Sequence, residues 1–173
     1  MKIKVREAKP KQKKVDGFPV VEIGGTTWMV NEIGGEVDNV PAAGDCLEDS
    51  DGAWYYNATY AKAIADDLKN GWRIPTKEDW LKLCESLGGS VNTANGSATG
   101  VKWAKSPIKL LLNGYYTARD NDFEAVDVNK GGFFWCSSNN RSIPSECFII
   151  DGSDGYTLFE EELEFATLIL VKD

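Results

Sequence analysis

The chain has 173 residues, of which 42% are hydrophobic and 11% aromatic, a composition typical of one globular domain that can bury a core. It contains no histidine, which excludes His-based zinc sites, Ser-His-Asp and Cys-His catalytic arrangements and acid–base catalysis by imidazole. The net charge is −8, and this charge is divided unevenly along the chain.

Positive charge is concentrated at the N-terminus. Residues 1–14 carry +6, so residues 15–173 carry −14 and repel the phosphates of nucleic acid. A basic arm over residues 1–17, followed by an acidic domain over residues 18–173, is a pattern for docking onto an acidic surface or a sheet edge of a partner protein. A solvated leader is the alternative. The basic residues of the arm are Lys2, Lys4, Arg6, Lys9, Lys11, Lys13 and Lys14.

The N-terminus lacks the apolar stretch of a secretory signal peptide, and no apolar run has the length of a membrane span. We therefore expect a protein that is made and assembled in a cytoplasm. In that compartment cysteines stay reduced and act as small apolar residues. The four cysteines are Cys46, Cys84, Cys136 and Cys147.

The first predicted elements are two strands over residues 20–23 and 26–30, joined by Gly24 and Gly25 in a two-residue hairpin turn. Residues 31–53 are predicted to form a loop. The acidic residues of this loop lack the spacing of an EF-hand, so solvated carboxylates are favoured over a calcium site. These acidic residues are Asp45, Glu48, Asp49 and Asp51.

Two helices are predicted near residues 57–69 and 76–87, where apolar residues recur at helical spacing. Gly71 suits the left-handed position that ends the first helix, and the residue before Pro75 is biased away from helix. Thr76 is predicted to cap the second helix, with Asp79 completing a capping box three residues later.

Most of the remaining chain is predicted to be β-structure. Residues 88–100 are small and polar and are predicted to form a flexible surface loop. Aromatic and aliphatic runs predict a central strand at 131–138 and further strands at 147–150, 156–159 and 165–171. The sequence therefore predicts an α+β domain, with two helices packed on antiparallel β-sheet and joined by long loops.

A family resemblance is carried by the corner between the two helices, where residues 71–80 run Gly-Trp-Arg-Ile-Pro-Thr-x-x-Asp-Trp. With Trp-Met-Val-Asn-Glu at 28–32 and Phe-Phe-Trp-Cys-Ser-Ser at 133–138, the chain resembles the Fibrobacter succinogenes major paralogous domain over residues 20–173. The resemblance implies a C-type-lectin-like fold with paired terminal strands. The motif residues, expected to be core and turn landmarks, are Trp28, Trp72, Arg73, Pro75, Trp80 and Trp135.

The chemistry known for related folds has little support in these residues. Calcium-dependent lectins need Glu-Pro-Asn or Gln-Pro-Asp, and the nearest string here is Ile-Pro-Ser at 143–145. Formylglycine-generating enzymes use a cysteine pair, but Cys136 and Cys147 lie in apolar runs where thiols are most often buried and inert. We expect no enzyme, no cofactor and no functional metal. Arg73 either binds an anion or, as we favour, locks its turn through carboxylates or carbonyls.

The expected function is that of a non-enzymatic structural or binding module. A bacterial family, a basic arm on an acidic body and no expected export signal favour a bacteriophage virion component, either an auxiliary or decoration protein of the capsid or an adhesion module of the head or tail. Its partners would be other subunits of a large assembly, with a host-surface glycan or protein as a further partner. The alternative is an adhesin-type domain at a bacterial cell surface that binds glycan or protein.

Overall fold

A computed structural model describes residues 13–35, 46–119, 122–138, 143–152, 156–161 and 163–173. In these residues the chain forms two helices and mostly antiparallel strands, so the predicted α+β class is confirmed. Residues 1–12 of the arm and Asp45 of the acidic loop lie outside the described residues. In the part of the chain that is described, no helix is long and apolar enough to cross a membrane.

The helices are α1 (Ala58–Leu68) and α2 (Lys77–Ser86). The strands, in chain order, are β1 (Lys14–Val15), β2 (Phe18–Ile23), β3 (Thr26–Met29), β4 (Cys46–Glu48), β5 (Trp54–Tyr56), β6 (Ser90–Asn92), β7 (Ser97–Thr99), β8 (Tyr115–Arg119), β9 (Asp122–Val126), β10 (Gly131–Cys136), β11 (Glu146–Asp151), β12 (Thr157–Glu161) and β13 (Val171–Lys172).

The first and last strands share one sheet, in the order β1-β2-β3-β13. Val171 lies opposite Trp28 and Lys172 opposite Thr27, which confirms the predicted pairing of the chain's two ends. The predicted hairpin is also confirmed, because Gly24 and Gly25 join β2 to β3 with φ of 59° and 86°. Two successive positive φ values are those of the turn that matches the twist of paired strands.

The fold begins earlier than the predicted domain boundary at residue 18. Lys14 lies opposite Pro19 and Val15 opposite Phe18, so residues assigned to the arm from the sequence form an edge strand of the sheet. The turn between these strands is held by Asp16, whose Oδ2 accepts a hydrogen bond of 2.9 Å from the indole N–H of Trp72. The local sequence pattern does not predict this long-range contact.

A second sheet has the order β10-β11-β12-β7-β6. The segment 88–100, predicted as a flexible loop, instead contains the β6–β7 hairpin, so that prediction is wrong. Ala98 is buried and lies opposite Thr157 of β12, whose hydroxyl donates to the Ala98 carbonyl at 3.5 Å. Small side chains in this segment allow two strands to pack closely under α2. The same small, polar composition predicted a loop when only the sequence was considered. The predicted loop over 31–53 likewise contains a strand, β4, paired with β5.

Both predicted helices are confirmed, and each begins at a capping residue. Asn57 accepts the backbone N–H of Tyr60 at the start of α1, and Thr76 forms the predicted capping box with Asp79 at the start of α2. The end of α1 differs from the prediction. Three successive residues, at positions 69–71, have positive φ, so Gly71 is the last left-handed residue of this turn.

Residues 165–171 do not form the single strand that was predicted. Phe165 bridges to Tyr116, and the next residues bridge to β5 and β10 before the chain enters β13. The first three residues of this apolar run therefore each meet a different strand. Residues 166 and 168–171 are completely buried, and the run links the sheets through the middle of the core.

The motif tryptophans are core residues, as predicted. Trp80 of α2 stacks on Phe148 with ring centroids 4.4 Å apart and meets Trp28 edge-on at 5.0 Å. Trp135 is also buried, and its indole N–H donates to the carbonyl of Tyr56 at 2.7 Å. These rings hold α2 between the sheet β1-β2-β3-β13, which we refer to as the terminal sheet, and the second sheet.

Candidate functional site

Arg73 connects the corner between the helices to the last strand. Its backbone N–H and C=O both pair with Val171 at 2.9 Å. Its guanidinium donates from Nη1 to Asp79 Oδ2 at 2.5 Å and from Nη2 to Asp79 Oδ1 at 3.3 Å. Nε also donates to Asp173 Oδ1 at 3.2 Å. The three nitrogens of this guanidinium are therefore already bonded to carboxylates, which favours the turn-locking role of Arg73 over anion binding.

Asp79 is the buried centre of this arrangement. Burial opposes its ionisation, but the hydrogen bonds from Arg73 and from Thr76 outweigh burial and lower the pKa of the carboxyl group. Oδ2 accepts the backbone N–H of Thr76 at 2.8 Å, and the hydroxyl of Thr26 lies 3.4 Å from Oδ1. One carboxylate thus joins β3, the helix cap and the arginine.

An open groove of 1120 Å³ lies above this ion pair, between the Gly24–Gly25 turn and the first turns of α2, and we refer to it as the Arg73 groove. Of the charged side chains that line it, only Glu85 has no ionic partner among the described residues. A ligand here would have to compete with existing ion pairs. The Arg73 groove is therefore poorly prepared for a polar ligand.

Glu32 lies at the opposite end of β3 and is arranged differently. Its Oε1 accepts the backbone N–H of Leu111 at 2.9 Å, and its Oε2 accepts Nδ2 of Asn113 at 3.4 Å. Burial raises the pKa of this carboxyl group to about 7, against the opposing effect of the Leu111 hydrogen bond. No cation among the described residues pairs with it. A carboxylate held this way titrates near neutrality.

The surroundings of Glu32 include a second polar contact that fixes the same segment. The hydroxyl of Tyr55 donates to the carbonyl of Asn113 at 2.9 Å and lies 3.1 Å from Oδ2 of Asp49. Burial, followed by the nearby Asp49, raises the pKa of Tyr55, so its hydroxyl stays protonated. Asn113 is thereby held at its side chain by Glu32 and at its backbone by Tyr55.

A pocket of 190 Å³ opens beside Glu32, and we refer to it as the Glu32 pocket. Its side walls include Asn31, Glu32, Trp54, Lys109 and Leu111. In the described part of the chain, neither the Asn31 amide, the Trp54 indole N–H nor the Lys109 ammonium has a hydrogen-bond partner. The Glu32 pocket is thus lined by several polar groups with unused hydrogen-bonding capacity. In the larger Arg73 groove, most charged groups are already paired.

Sequence reasoning missed Glu32, Asn31 and Lys109 as candidate site residues. The available signal was weak: Glu32 follows a buried strand within a motif and precedes two glycines. Its burial depends on Leu111, which is 79 residues away in the chain. Only the folded arrangement identifies it.

The structure places two of the seven predicted arm residues. Lys13 is exposed and forms an ion pair with Glu22 of β2, and Lys14 is an exposed residue of the edge strand β1. The other predicted anchor residues, Lys2, Lys4, Arg6, Lys9 and Lys11, lie outside the described residues.

Cys136 and Cys147 do not form a reactive pair. Cys147 lies opposite Trp135, whereas Cys136 lies opposite Glu146, so the two thiols are on opposite faces of the sheet. Both are completely buried, and burial raises the pKa of Cys136. This arrangement favours two inert core thiols.

Among the described acidic residues of the predicted loop, Asp49 has a clear structural role. Oδ1 of Asp49 accepts the backbone N–H groups of Asp51 and Ala53, both at 2.9 Å. These bonds close the turn that leads into β5. Among the described residues, no group of three acidic or cysteine side chains could hold a metal ion.

In comparisons with known proteins, the chain matches no protein-family model, no curated protein sequence and no solved structure. The fold and the two sites are characterised by their own geometry. They define a compact α+β domain with a locked corner at Arg73 and a polar pocket at Glu32.

Proposed function

We propose that the protein is a non-enzymatic binding module with a C-type-lectin-like fold, carried by a bacteriophage virion as an auxiliary or decoration protein or as a head- or tail-associated adhesion module. The finer fold assignment is supported by the pairing of β13 with β3 and by the two helices that meet at the corner of residues 72–75. The inert placement of the cysteines supports a role in binding rather than in redox chemistry.

The proposal rests mainly on the directions of the strands in the terminal sheet. Because β1 is antiparallel to β2, its start faces the Gly24–Gly25 turn, and Lys13 pairs there with Glu22. Asp173 follows β13 at the same end, since Lys172 lies opposite Thr27. Glu32 lies beyond the other end of β3. A module held by its basic arm would therefore present the Glu32 pocket away from the anchor.

Charge supports the same orientation. The arm of residues 1–14 carries +6 and the rest of the chain −14, so an acidic partner surface attracts the arm and repels the body. Edge strand β1 also offers main-chain groups to a partner strand. The arm would supply attachment, and the repelled body would stand away from the surface.

The alternative, a bacterial cell-surface binding domain, is favoured by one observation only. Among the described residues, the Glu32 pocket has polar groups without protein partners, and such a pocket suits a glycan-binding or protein-binding domain on any surface. This alternative gives the basic arm no specific role.

The experiment compares three chains produced together with the other structural proteins of the virion: the full chain, a deletion of residues 2–12 and a full-length variant with Lys2, Lys4, Arg6, Lys9 and Lys11 changed to Gln. Occupancy is measured by mass spectrometry of purified particles. The deletion spares Lys13 and β1, so its melting temperature should equal that of the full chain.

We expect both variants to be folded and absent from particles. If the deletion reaches full occupancy, the arm is a solvated leader and the proposed anchor is wrong. If only the glutamine variant is incorporated, the arm acts through strand pairing and not through charge. If no particle contains the full chain and bacterial surface fractions do, the alternative is correct.

A further inference from the structure

We infer that the Glu32 pocket binds one uncharged pyranose ring of a saccharide, without a metal ion. The inference rests on the binding role proposed above but not on its assignment to a virion. It begins from the size of the pocket, which is 190 Å³. At about 30 Å³ for each water molecule in the liquid, this is the space of roughly six waters. A single small ring is therefore accommodated.

The charges of the pocket select an uncharged ligand. Glu32 and Lys109 contribute one negative and one positive group, and the two are not paired with each other. A simple cation would meet Lys109, and a simple anion would meet the partly buried Glu32. A neutral ligand that offers both donors and acceptors satisfies both groups without placing a net charge in the pocket.

The unused hydrogen-bonding groups match the hydroxyls of a sugar. The Glu32 carboxylate receives two donors from the described residues and has about four acceptor positions. Lys109 and the Trp54 indole N–H supply donors, and the Asn31 amide supplies both a donor and an acceptor. Adjacent hydroxyls of a pyranose donate and accept at once, so they can bridge these groups.

Apolar surface completes the match. Trp54 lines the pocket with Gly34, whose backbone lies beside the edge of the indole: a Cβ there would be in ordinary contact with Cδ1 at 3.4 Å. Leu111, which is 51% exposed, lies on the wall that Glu32 holds in place. The C–H face of a pyranose packs well on such amphipathic and aliphatic surface.

The test uses the full chain and a panel of neutral methyl pyranosides, namely the methyl glycosides of glucose, galactose, mannose and N-acetylglucosamine, each titrated to 100 mM. Glycine, choline and acetate serve as zwitterionic, cationic and anionic probes. Binding is measured by saturation-transfer NMR, and the indole N–H of Trp54 is followed in ¹H–¹⁵N spectra, with and without EDTA.

We expect at least one pyranoside to bind, to shift the Trp54 indole signal and to be unaffected by EDTA. Lys109→Met and Glu32→Gln should each weaken binding about tenfold or more, because each removes a charge-assisted hydrogen bond. The matched controls, Lys105→Met and Glu85→Gln, remove the same charges from exposed positions outside the pocket and should leave binding unchanged. Circular dichroism and melting temperature establish that each variant is folded.

Binding should also tighten as the pH rises from 5.5 to 8, since the ionised carboxylate is the better acceptor and the pKa of Glu32 is about 7. The inference is overturned if no pyranoside binds at 100 mM, if binding survives both pocket substitutions, or if only a charged probe binds. None of these outcomes alters particle incorporation in the arm-deletion experiment, so failure here is distinguishable from failure of the proposed function.

Discussion

The guanidinium of Arg73 and the carboxylate of Asp79 face each other through two N–H···O contacts, with the two side chains only 11% and 7% exposed. The backbone of Arg73 pairs with Val171, and Asp79 is the third residue of α2. This ion pair therefore joins the last strand to the first turn of a helix. Its burial makes the two partners depend on each other, because either charge alone would be poorly solvated.

Arg73→Ala should lower the free energy of unfolding by about 3 kcal/mol, since it leaves the buried Asp79 carboxylate without its cation. Lys62→Ala is the control, because it removes an ion pair on α1 whose acid, Asp66, is 65% exposed. That control should cost less than about 0.5 kcal/mol. Urea denaturation at pH 7, followed by tryptophan fluorescence, measures both. Equal costs for the two variants would show that the Arg73 pair is not a structural lock.

Gly114 is the glycine whose replacement should be most damaging among those in the left-handed region. It has φ of 70°, and a Cβ there would lie 2.0 Å from the carbonyl oxygen of Val126. Gly25 has φ of 86° with open space around it. Gly114→Ala should therefore destabilise the domain by about 2 kcal/mol more than Gly25→Ala, which suffers the backbone strain without the clash. Thermal melting of both variants decides this, and similar melting temperatures would contradict the close packing of β8 against β9.

The elements that local sequence signals predicted well are those whose causes are local. The capping box of Thr76 and Asp79 lies within one helical turn, and the Gly24–Gly25 turn needs only its own backbone freedom. The β6–β7 hairpin was harder to predict, because Ala98 pairs with Val91 inside the hairpin and also with Thr157 of β12, far along the chain. The spacing of apolar residues indicates which side chains are buried, but it does not predict which strand will pair with them.

The candidate site was less predictable than the fold for the same reason. Nothing next to Glu32 in the sequence distinguishes it from an exposed acid, whereas Leu111 and Asn113 bond its carboxylate and partly bury it in the folded chain. Arg73 was identifiable because its motif is contiguous. Its partner Asp173, one hundred residues away, was not.

The four cysteines should differ sharply in reactivity in the native protein. Cys84, Cys136 and Cys147 are completely buried, and burial raises the pKa of Cys84 to about 12, so almost none of it is thiolate at pH 8. Cys46 is partly exposed. Ellman's reagent should therefore modify one thiol rapidly in native protein and four in denaturant. Cys46→Ser should abolish the rapid phase, and fewer than four thiols in denaturant would reveal a disulfide.

The last prediction concerns pH and rests on the absence of histidine from the chain. In the folded state the pKa of Glu32 is about 7, above the ordinary value of 4.5, so between these values the native state holds a proton that the unfolded state has lost. The free energy of unfolding should consequently fall as pH rises from 5 to 7 and then level off, by at most about 3 kcal/mol. Few other side chains titrate in this window, so the slope should belong mainly to Glu32.

Glu32→Gln tests this directly, because the amide oxygen can still accept the Leu111 N–H but cannot ionise. Urea denaturation at pH 5, 6, 7 and 8 should give a flat profile for this variant, whereas the control Glu85→Gln should keep the slope of the natural chain. Parallel slopes for the natural chain and Glu32→Gln would mean that Glu32 is already ionised and solvated at pH 5. In that case the carboxylate would be a surface group, and the wall of residues 111–113 would not depend on its protonation.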